Sequence, residues 1–163
     1  MKKLFAILTM LLFMVCSCGP TAKEAAEYNN AIVTQQKIVL EKVSELDNAI
    51  GNFDNNKMDK ALKDLEESLG KALAEIKSLE DVDGCEGFKK ASISYFETFN
   101  NLISEHYPAL MTIFRLPPEN YTSTEEQMAD SIQNIINEKH KQSQDEFIKA
   151  QSEFAKKHNI ELE

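Results

Sequence analysis

Apolar residues recur at every third or fourth position between residues 58 and 79, and charged residues stand between them. An α-helix has about 3.6 residues per turn, so this spacing places the apolar side chains on one face. The stripe consists of Met58, Leu62, Leu65, Leu69, Ala72, Leu73, Ile76 and Leu79. Such a face must be buried against other elements. The pattern therefore predicts an amphipathic helix that is capped at Asn56 and ended by residues 82–84.

The segment before it predicts a first helix from residue 22 to residue 50. Its stripe consists of Tyr28, Ile32, Val39, Val43, Leu46 and Ile50. Gly51 and Asn52 follow, and these residue types favour the left-handed conformation in which many helices end. We expect this helix to stop there.

The segment after residue 83 predicts a third helix with an aromatic stripe, with Asp83 as its N-cap. The stripe consists of Phe88, Tyr95, Phe96, Phe99, Leu102, Ile103, Leu110, Ile113 and Phe114. Pro108 lies within it. Proline has no amide hydrogen, and its ring clashes with the carbonyl four residues earlier, so we expect a kink near residues 105–107.

A fourth helix is predicted from a capping box of Ser123 and Glu126 to His158. Its stripe consists of Met128, Ile132, Ile135, Ile136, Phe147, Ala150 and Phe154. Polar Gln144 and Gln151 interrupt the stripe. Short connections favour antiparallel neighbours. The sequence therefore predicts an all-α, antiparallel up-down-up-down four-helix bundle over residues 24–163, with the third helix kinked at Pro108.

The first eighteen residues carry a targeting pattern. Lys2 and Lys3 precede an uncharged apolar stretch over residues 4–15, which is too short to span a bilayer as a helix and is typical of a signal peptide. The following Val15-Cys16-Ser17-Cys18 resembles the bacterial lipobox. This resemblance implies cleavage after residue 17, a lipidated Cys18 and a tether over residues 18–23. The alternative is an ordinary secreted protein in which Cys16 and Cys18 are accidental.

The resemblance also implies a place in the cell. Acyl chains on the Cys18 thiol and on the freed amine would anchor the protein in a lipid bilayer, since two chains bind stably where one does not. Gly19 rather than Asp follows the anchor, which favours the outer membrane; whether the protein faces the periplasm or the exterior stays open. Cys85 would then be the one free thiol, at the start of the third helix.

Catalytic and cofactor motifs are missing from the sequence. No Glu-x-x-His pair of di-iron bundles, no C-x-x-C-H haem motif and no glycine-rich phosphate loop occurs. His106 and His140 are expected about 10 Å apart along the helix axis, too far to share a metal. The net charge of −9 and the lack of a basic face argue against nucleic acid as a partner. We therefore expect no enzyme, no cofactor and no metal.

Two further features of the sequence have alternative interpretations. The aromatic stripe either packs the core or lines a pocket for an apolar ligand beside the Pro108 kink, where a broken helix opens the packing. The triplet Asp130-Ser131-Ile132 resembles an O-glycosylation triplet of exported Bacteroidota proteins, which makes Ser131 a candidate modification site. The same triplet also arises by chance.

The mature chain resembles a family of small surface lipoproteins of Bacteroidota and leptospires. The residues that carry the likeness are Tyr28-Asn29-Asn30-Ala31-Ile32, Tyr107-Pro108-Ala109-Leu110 and Phe154-Ala155-Lys156-Lys157-His158-Asn159. The resemblance implies a helical bundle with no established activity. The sequence thus favours a membrane-anchored, non-enzymatic module that binds a protein or an apolar ligand. The alternatives are a structural or envelope-stress protein and a metal or redox carrier.

Overall fold

The computed structural model describes residues 21–162, which form five α-helices and one short turn of 3-10 helix. The predicted signal peptide, Cys16 and Cys18 lie outside these residues. Helix α1 spans Ala22–Gly51, α2 spans Asn55–Ser78, α3 spans Glu86–Glu105, α4 spans Tyr107–Phe114 and α5 spans Ser123–His158. The 3-10 turn covers Pro118–Asn120. No strand occurs within residues 21–162.

Helices α3 and α4 are the two arms of one bundle helix, which bends by 36° at residue 106. Pro108 explains the position of the bend, because its ring excludes the carbonyl of Ser104 and it donates no amide hydrogen. The new arm begins at Tyr107, with the proline in its first turn, where a missing amide costs nothing. The predicted all-α four-helix bundle with a kinked third helix is confirmed.

Contacts between distant residues show that neighbouring helices are antiparallel. Gln35 of α1 donates a hydrogen bond to Glu75 of α2, Lys77 of α2 pairs with Glu97 of α3 at 3.1 Å, and Phe88 packs on Phe154 of α5. Gln151 of α5 donates a hydrogen bond to Asn29 of α1 over 2.8 Å. The start of α3 and the start of α1 each meet the end of α5, and the last turn of α2 meets the middle of α1 and the middle of α3. The four pairs close the ring.

The core follows the predicted stripes closely in α1, α2 and α3. Leu65, Leu69 and Ile76 have no exposed surface, and neither do Tyr95 and Phe96. The prediction for α5 is wrong at two positions, since Met128 is 52% exposed and Ile135 is 37% exposed. The core face of α5 contains the predicted Ile136, Phe147 and Phe154 together with Ala129, Ser143 and Ala155. Small and polar residues on that face made its phase ambiguous in the sequence.

Three helix ends differ from the predicted caps. Asp54 rather than Asn56 caps α2 and accepts from the amide of Lys57. Cys85 rather than Asp83 precedes α3, and Asp83 instead pairs with Lys157 at 3.2 Å. Thr122 and Glu125 form the capping box of α5, one residue before the predicted pair. Because several Asp, Asn, Ser and Thr residues stand near each end, composition alone did not select among them.

Helix α1 begins at the predicted residue 22. Thr21 caps it in a capping box with Glu24, so residues 22 and 23, which the predicted tether also includes, are helical. Within residues 21–162, all of the buried core lies between Ala25 and Ala155. A fragment that begins at residue 19 therefore keeps the whole core.

Candidate ligand cleft at the bent end of the bundle

The bend between α3 and α4 lies beside a cleft of about 260 Å³. Its walls come from the last turns of α1, from α4 and from the first half of α5. The cleft is lined by Asp47, Ile50, Gly51, Phe53, Tyr107, Leu110, Phe114, Gln133, Ile136 and Asn137. Most of these side chains are apolar or aromatic and a few are polar, which is the usual composition of a small-molecule site.

The charged group of the cleft is the carboxylate of Asp47. The Tyr107 hydroxyl donates a hydrogen bond to Asp47 Oδ1 over 3.2 Å, and Tyr107 is buried. Asp47 is an exposed residue of α1, yet the protein atoms around its carboxyl withdraw it partly from water and raise its pKa above the ordinary value. The Tyr107 hydrogen bond and the nearby His140 oppose that shift. Burial and the Asp47 charge both raise the pKa of Tyr107, which is therefore a neutral donor at neutral pH.

Phe53 forms the rim of the cleft in an unusual conformation. Its φ of 54° lies in the left-handed region, which bulky residues seldom adopt. The amides of Phe53 and Asp54 donate to the carbonyls of Ile50 and Ala49, which is a Schellman ending that glycine normally completes. The Phe53 ring meets Phe114 edge-on at 5.7 Å and is 61% exposed. The ring is thus held at the cleft without being buried in the core.

A second group of polar atoms lies deeper in the bundle, at the centre of the aromatic stripe. The His140 ring packs on Phe99 with centroids 4.8 Å apart and lies 6.3 Å from the Tyr95 ring. Burial lowers the pKa of His140, although Asp47 opposes the shift. Within residues 21–162, His140 Nε2 and the Tyr95 hydroxyl have no hydrogen-bond partner. His140 is therefore a neutral, half-buried histidine at neutral pH.

The structure does not bring metal-ligating side chains together. In the part of the chain that it describes, no three His, Cys, Asp or Glu residues are close enough to hold a metal ion. His106 and His158 are half-buried, like His140, and each has a ring nitrogen without a protein partner. All three histidines thus lie at the boundary of the core.

The remaining candidate residues of the sequence lie apart from the cleft. Ser131 is exposed on α5, which leaves it accessible to modification. Cys85 is fully buried at the start of α3, with Sγ 3.8 Å from Asp81 Oδ1. Cys18 lies outside the described residues, so its lipidation stays a prediction.

One wall of the cleft was predicted from the sequence, and the other wall was not. The expected pocket beside Pro108 matches the position of Tyr107, Leu110 and Phe114. Asp47 was missed, although a carboxylate three residues before Ile50 and four after Val43 interrupts an apolar face. Phe53 was missed because its position depends on the backbone conformation after Gly51 and Asn52.

A larger groove of about 390 Å³ lies between α1 and α2, but its charges are already paired. Lys57 pairs with Asp54 at 2.9 Å and Lys60 pairs with Asp64 at 3.1 Å. These exposed ion pairs are typical of a solvated helix surface. This groove is therefore a weaker candidate than the cleft at the bend.

No known protein family, curated protein or solved structure matches the chain. Among residues 21–162, the helices also lack a segment that is long and apolar enough to cross a membrane.

Proposed function

We propose that this protein is a bacterial lipoprotein of the outer membrane, anchored through acylated Cys18, whose bundle is a non-enzymatic ligand-binding module. The cleft at the bend carries this proposal, because it combines an apolar wall with a carboxylate and a hydroxyl that are already positioned. Such an arrangement fixes the orientation of a small ligand without much reorganisation. The N-terminal pattern supplies the anchor, and the bundle supplies the binding surface.

The chemistry of the cleft supports binding rather than catalysis. General acid–base catalysis works best with groups whose pKa lies near the operating pH. The raised pKa of Tyr107 keeps its hydroxyl neutral, and Asp47 offers a single carboxylate. Among residues 21–162, no histidine, cysteine or lysine lines the cleft. The groups present can hold a ligand, and none of them is arranged as an activated nucleophile.

Native mass spectrometry of the protein extracted gently from its host tests this proposal. We expect a bound small molecule in the wild-type protein. Asn137→Trp places a large side chain in the cleft and should remove that mass. Asn134→Trp, on an exposed part of the same helix, is the matched control and should retain it.

Each other outcome of this experiment favours a different function. An apo protein in all three samples would favour a structural or envelope-stress role. A bound metal that survives Asn137→Trp would favour a metal carrier. A small molecule that survives Asn137→Trp would place the binding site elsewhere.

A further inference from the structure

The cleft has a charge of one sign only. In the part of the chain that the structure describes, Asp47 is the one charged side chain that lines the cleft, and neither lysine nor arginine lines it. His140 lies one helical turn beyond Asn137 on α5, and its lowered pKa leaves it uncharged at neutral pH. A partly desolvated carboxylate without a positive neighbour attracts a cation more strongly than one in bulk water does.

The Asp47 carboxylate also has unused hydrogen-bond acceptor positions. Within residues 21–162, it accepts one side-chain hydrogen bond, from the Tyr107 hydroxyl to Oδ1. A carboxylate accepts several hydrogen bonds, so Oδ2 and a second lone pair of Oδ1 remain available. The Tyr107 bond holds the carboxylate in place before any ligand arrives.

Aromatic rings line the same cleft as this carboxylate. Phe53, Tyr107 and Phe114 all line the cleft. The faces of aromatic rings attract ammonium groups, most strongly where water is excluded. Phe53 adds a separate observation, because a bulky residue in the left-handed region stores backbone strain, and strain of this kind concentrates at functional sites. Its exposed ring is not explained by core packing.

We infer that the cleft binds a small organic monocation, an ammonium group carried on a compact apolar body. The ammonium group would lie against the Asp47 carboxylate, and the apolar body would contact Phe53, Leu110 and Phe114. The volume of about 260 Å³ is below the roughly 300–1,000 Å³ of drug-sized sites, which limits the occupant to a small molecule. This inference rests on the proposed ligand-binding function and specifies its ligand class.

Three probes of similar size and different charge test the inference: phenethylammonium, 2-phenylethanol and phenylacetate. Isothermal titration calorimetry of the 19–163 fragment at neutral pH measures each affinity. We expect the cation to bind at least tenfold more tightly than the alcohol and the anion to bind least. Asp47→Asn should abolish the preference for the cation. Asp145→Asn, the same change at an exposed carboxylate of α5, should leave it intact and controls for the acidity of the whole protein.

Phe53→Gly separates ligand recognition from folding. Glycine adopts the left-handed conformation freely, so the helix ending is retained while the aromatic ring is lost. We expect at least a fivefold loss of affinity for phenethylammonium, with an unchanged far-UV circular dichroism spectrum. An unchanged affinity would remove Phe53 from the site and overturn its assigned contact.

The remaining outcomes distinguish this inference from the proposed function. Equal affinities of the three probes, all reduced by Asn137→Trp, would overturn the cation preference and leave a general apolar site. A preference for phenylacetate would also overturn it. If no probe binds while native mass spectrometry shows a ligand that Asn137→Trp removes, the inferred ligand class is wrong and the cleft is still a site. If neither experiment shows a ligand, both proposals are wrong.

Discussion

The Tyr107 hydroxyl donates to Asp47 Oδ1 across the gap between α4 and α1, over 3.2 Å. The two residues are 60 positions apart in the chain, and the bend at residue 106 determines where Tyr107 begins its helix. A proline at position 108 thus helps to place a hydroxyl beside a carboxylate on another helix. This pair links the backbone geometry of the bend to the chemistry of the cleft.

Asp47→Asn should stabilise the protein at neutral pH. The folded pKa of Asp47 is raised, mainly because the carboxyl is partly withdrawn from water, so the ionised form is disfavoured in the folded state. A carboxyl whose pKa is raised by folding stabilises the folded protein at low pH, where the group is protonated. This stabilisation is lost as the pH rises through the folded pKa. Asparagine is uncharged and can still accept from Tyr107. The gain should therefore appear near pH 7 and vanish in acid.

Thermal unfolding of the 19–163 fragment between pH 3 and pH 7 measures this effect, with Asp145→Asn as the control at an exposed carboxylate. His140 also titrates in this range. Because the Asp47 charge opposes the lowering of the His140 pKa, Asp47→Asn lowers that pKa further, which also reduces the gain in acid. A gain for Asp47→Asn that is constant across the pH range would show that ionisation of Asp47 is not its cause.

Phe53→Gly should leave the free energy of unfolding within about 1 kcal/mol of wild type. Glycine relieves the strain of the left-handed conformation, which raises the free energy of unfolding by roughly 1–2 kcal/mol. The larger backbone entropy of glycine in the unfolded chain lowers it by about 0.5–1 kcal/mol, and loss of the edge contact with Phe114 lowers it by a similar amount. Phe99→Ala, at a buried position of α3, should cost about 3–5 kcal/mol. Urea denaturation compares the two, and similar losses would mean that Phe53 is a core residue after all.

The fold was predictable because the stripes of α1, α2 and α3 are regular and their loops are short. Leu69 illustrates this: its place in an uninterrupted series of apolar positions determines that it is buried. Pro108 is equally informative, since steric exclusion of the Ser104 carbonyl depends only on local sequence. Asp83 shows the opposite case, because its partner Lys157 is 74 positions away and the pairing depends on how the bundle closes.

The candidate cleft was predictable only in part. The stripe and Pro108 together indicated an apolar pocket beside the bend. The roles of Asp47 and Phe53 depend on the packing of α1 against α4 and on one backbone angle, and neither follows from spacing. Met128 and Ile135 likewise show that an apolar residue on a helix is not thereby a core residue, since the packed face of α5 buries Ala129 and leaves both of them exposed.

Leu69→Ala should destabilise the bundle by roughly 2–5 kcal/mol, because Leu69 has no exposed surface and its truncation leaves a cavity. Glu67→Ala removes an exposed side chain whose distance to Lys63 is 4.0 Å, and its effect should stay within about 0.5 kcal/mol. Chemical denaturation of the 19–163 fragment measures both. Midpoints that barely separate would show that the α2 stripe is exposed in solution and that the bundle architecture is wrong.

Gly84→Ala should destabilise the turn between α2 and α3 by about 1–2 kcal/mol. Gly84 has a φ of 72°, which costs an L-residue roughly that amount. A Cβ at this position would also collide with the side chain of Lys157. Gly70→Ala is the matched control, since Gly70 lies inside α2 with open space around it, and the change should stabilise by about 1 kcal/mol. Thermal melts that shift in the same direction for both variants would contradict this account of the turn.

Cys18→Ser should leave an unprocessed precursor and abolish metabolic labelling with a clickable palmitate analogue. Only a thiol forms the thioether of the lipid anchor, so serine at this position blocks acylation and the cleavage that depends on it. Cys16→Ser is the matched control, because residue 16 is removed with the signal peptide in our proposal and its loss should change neither processing nor labelling. Full labelling of Cys18→Ser, or lost labelling of Cys16→Ser, would contradict the proposed anchor. Unlabelled but correctly processed wild-type protein would instead indicate an ordinary secreted protein, in which the cleft would meet its ligand away from the membrane.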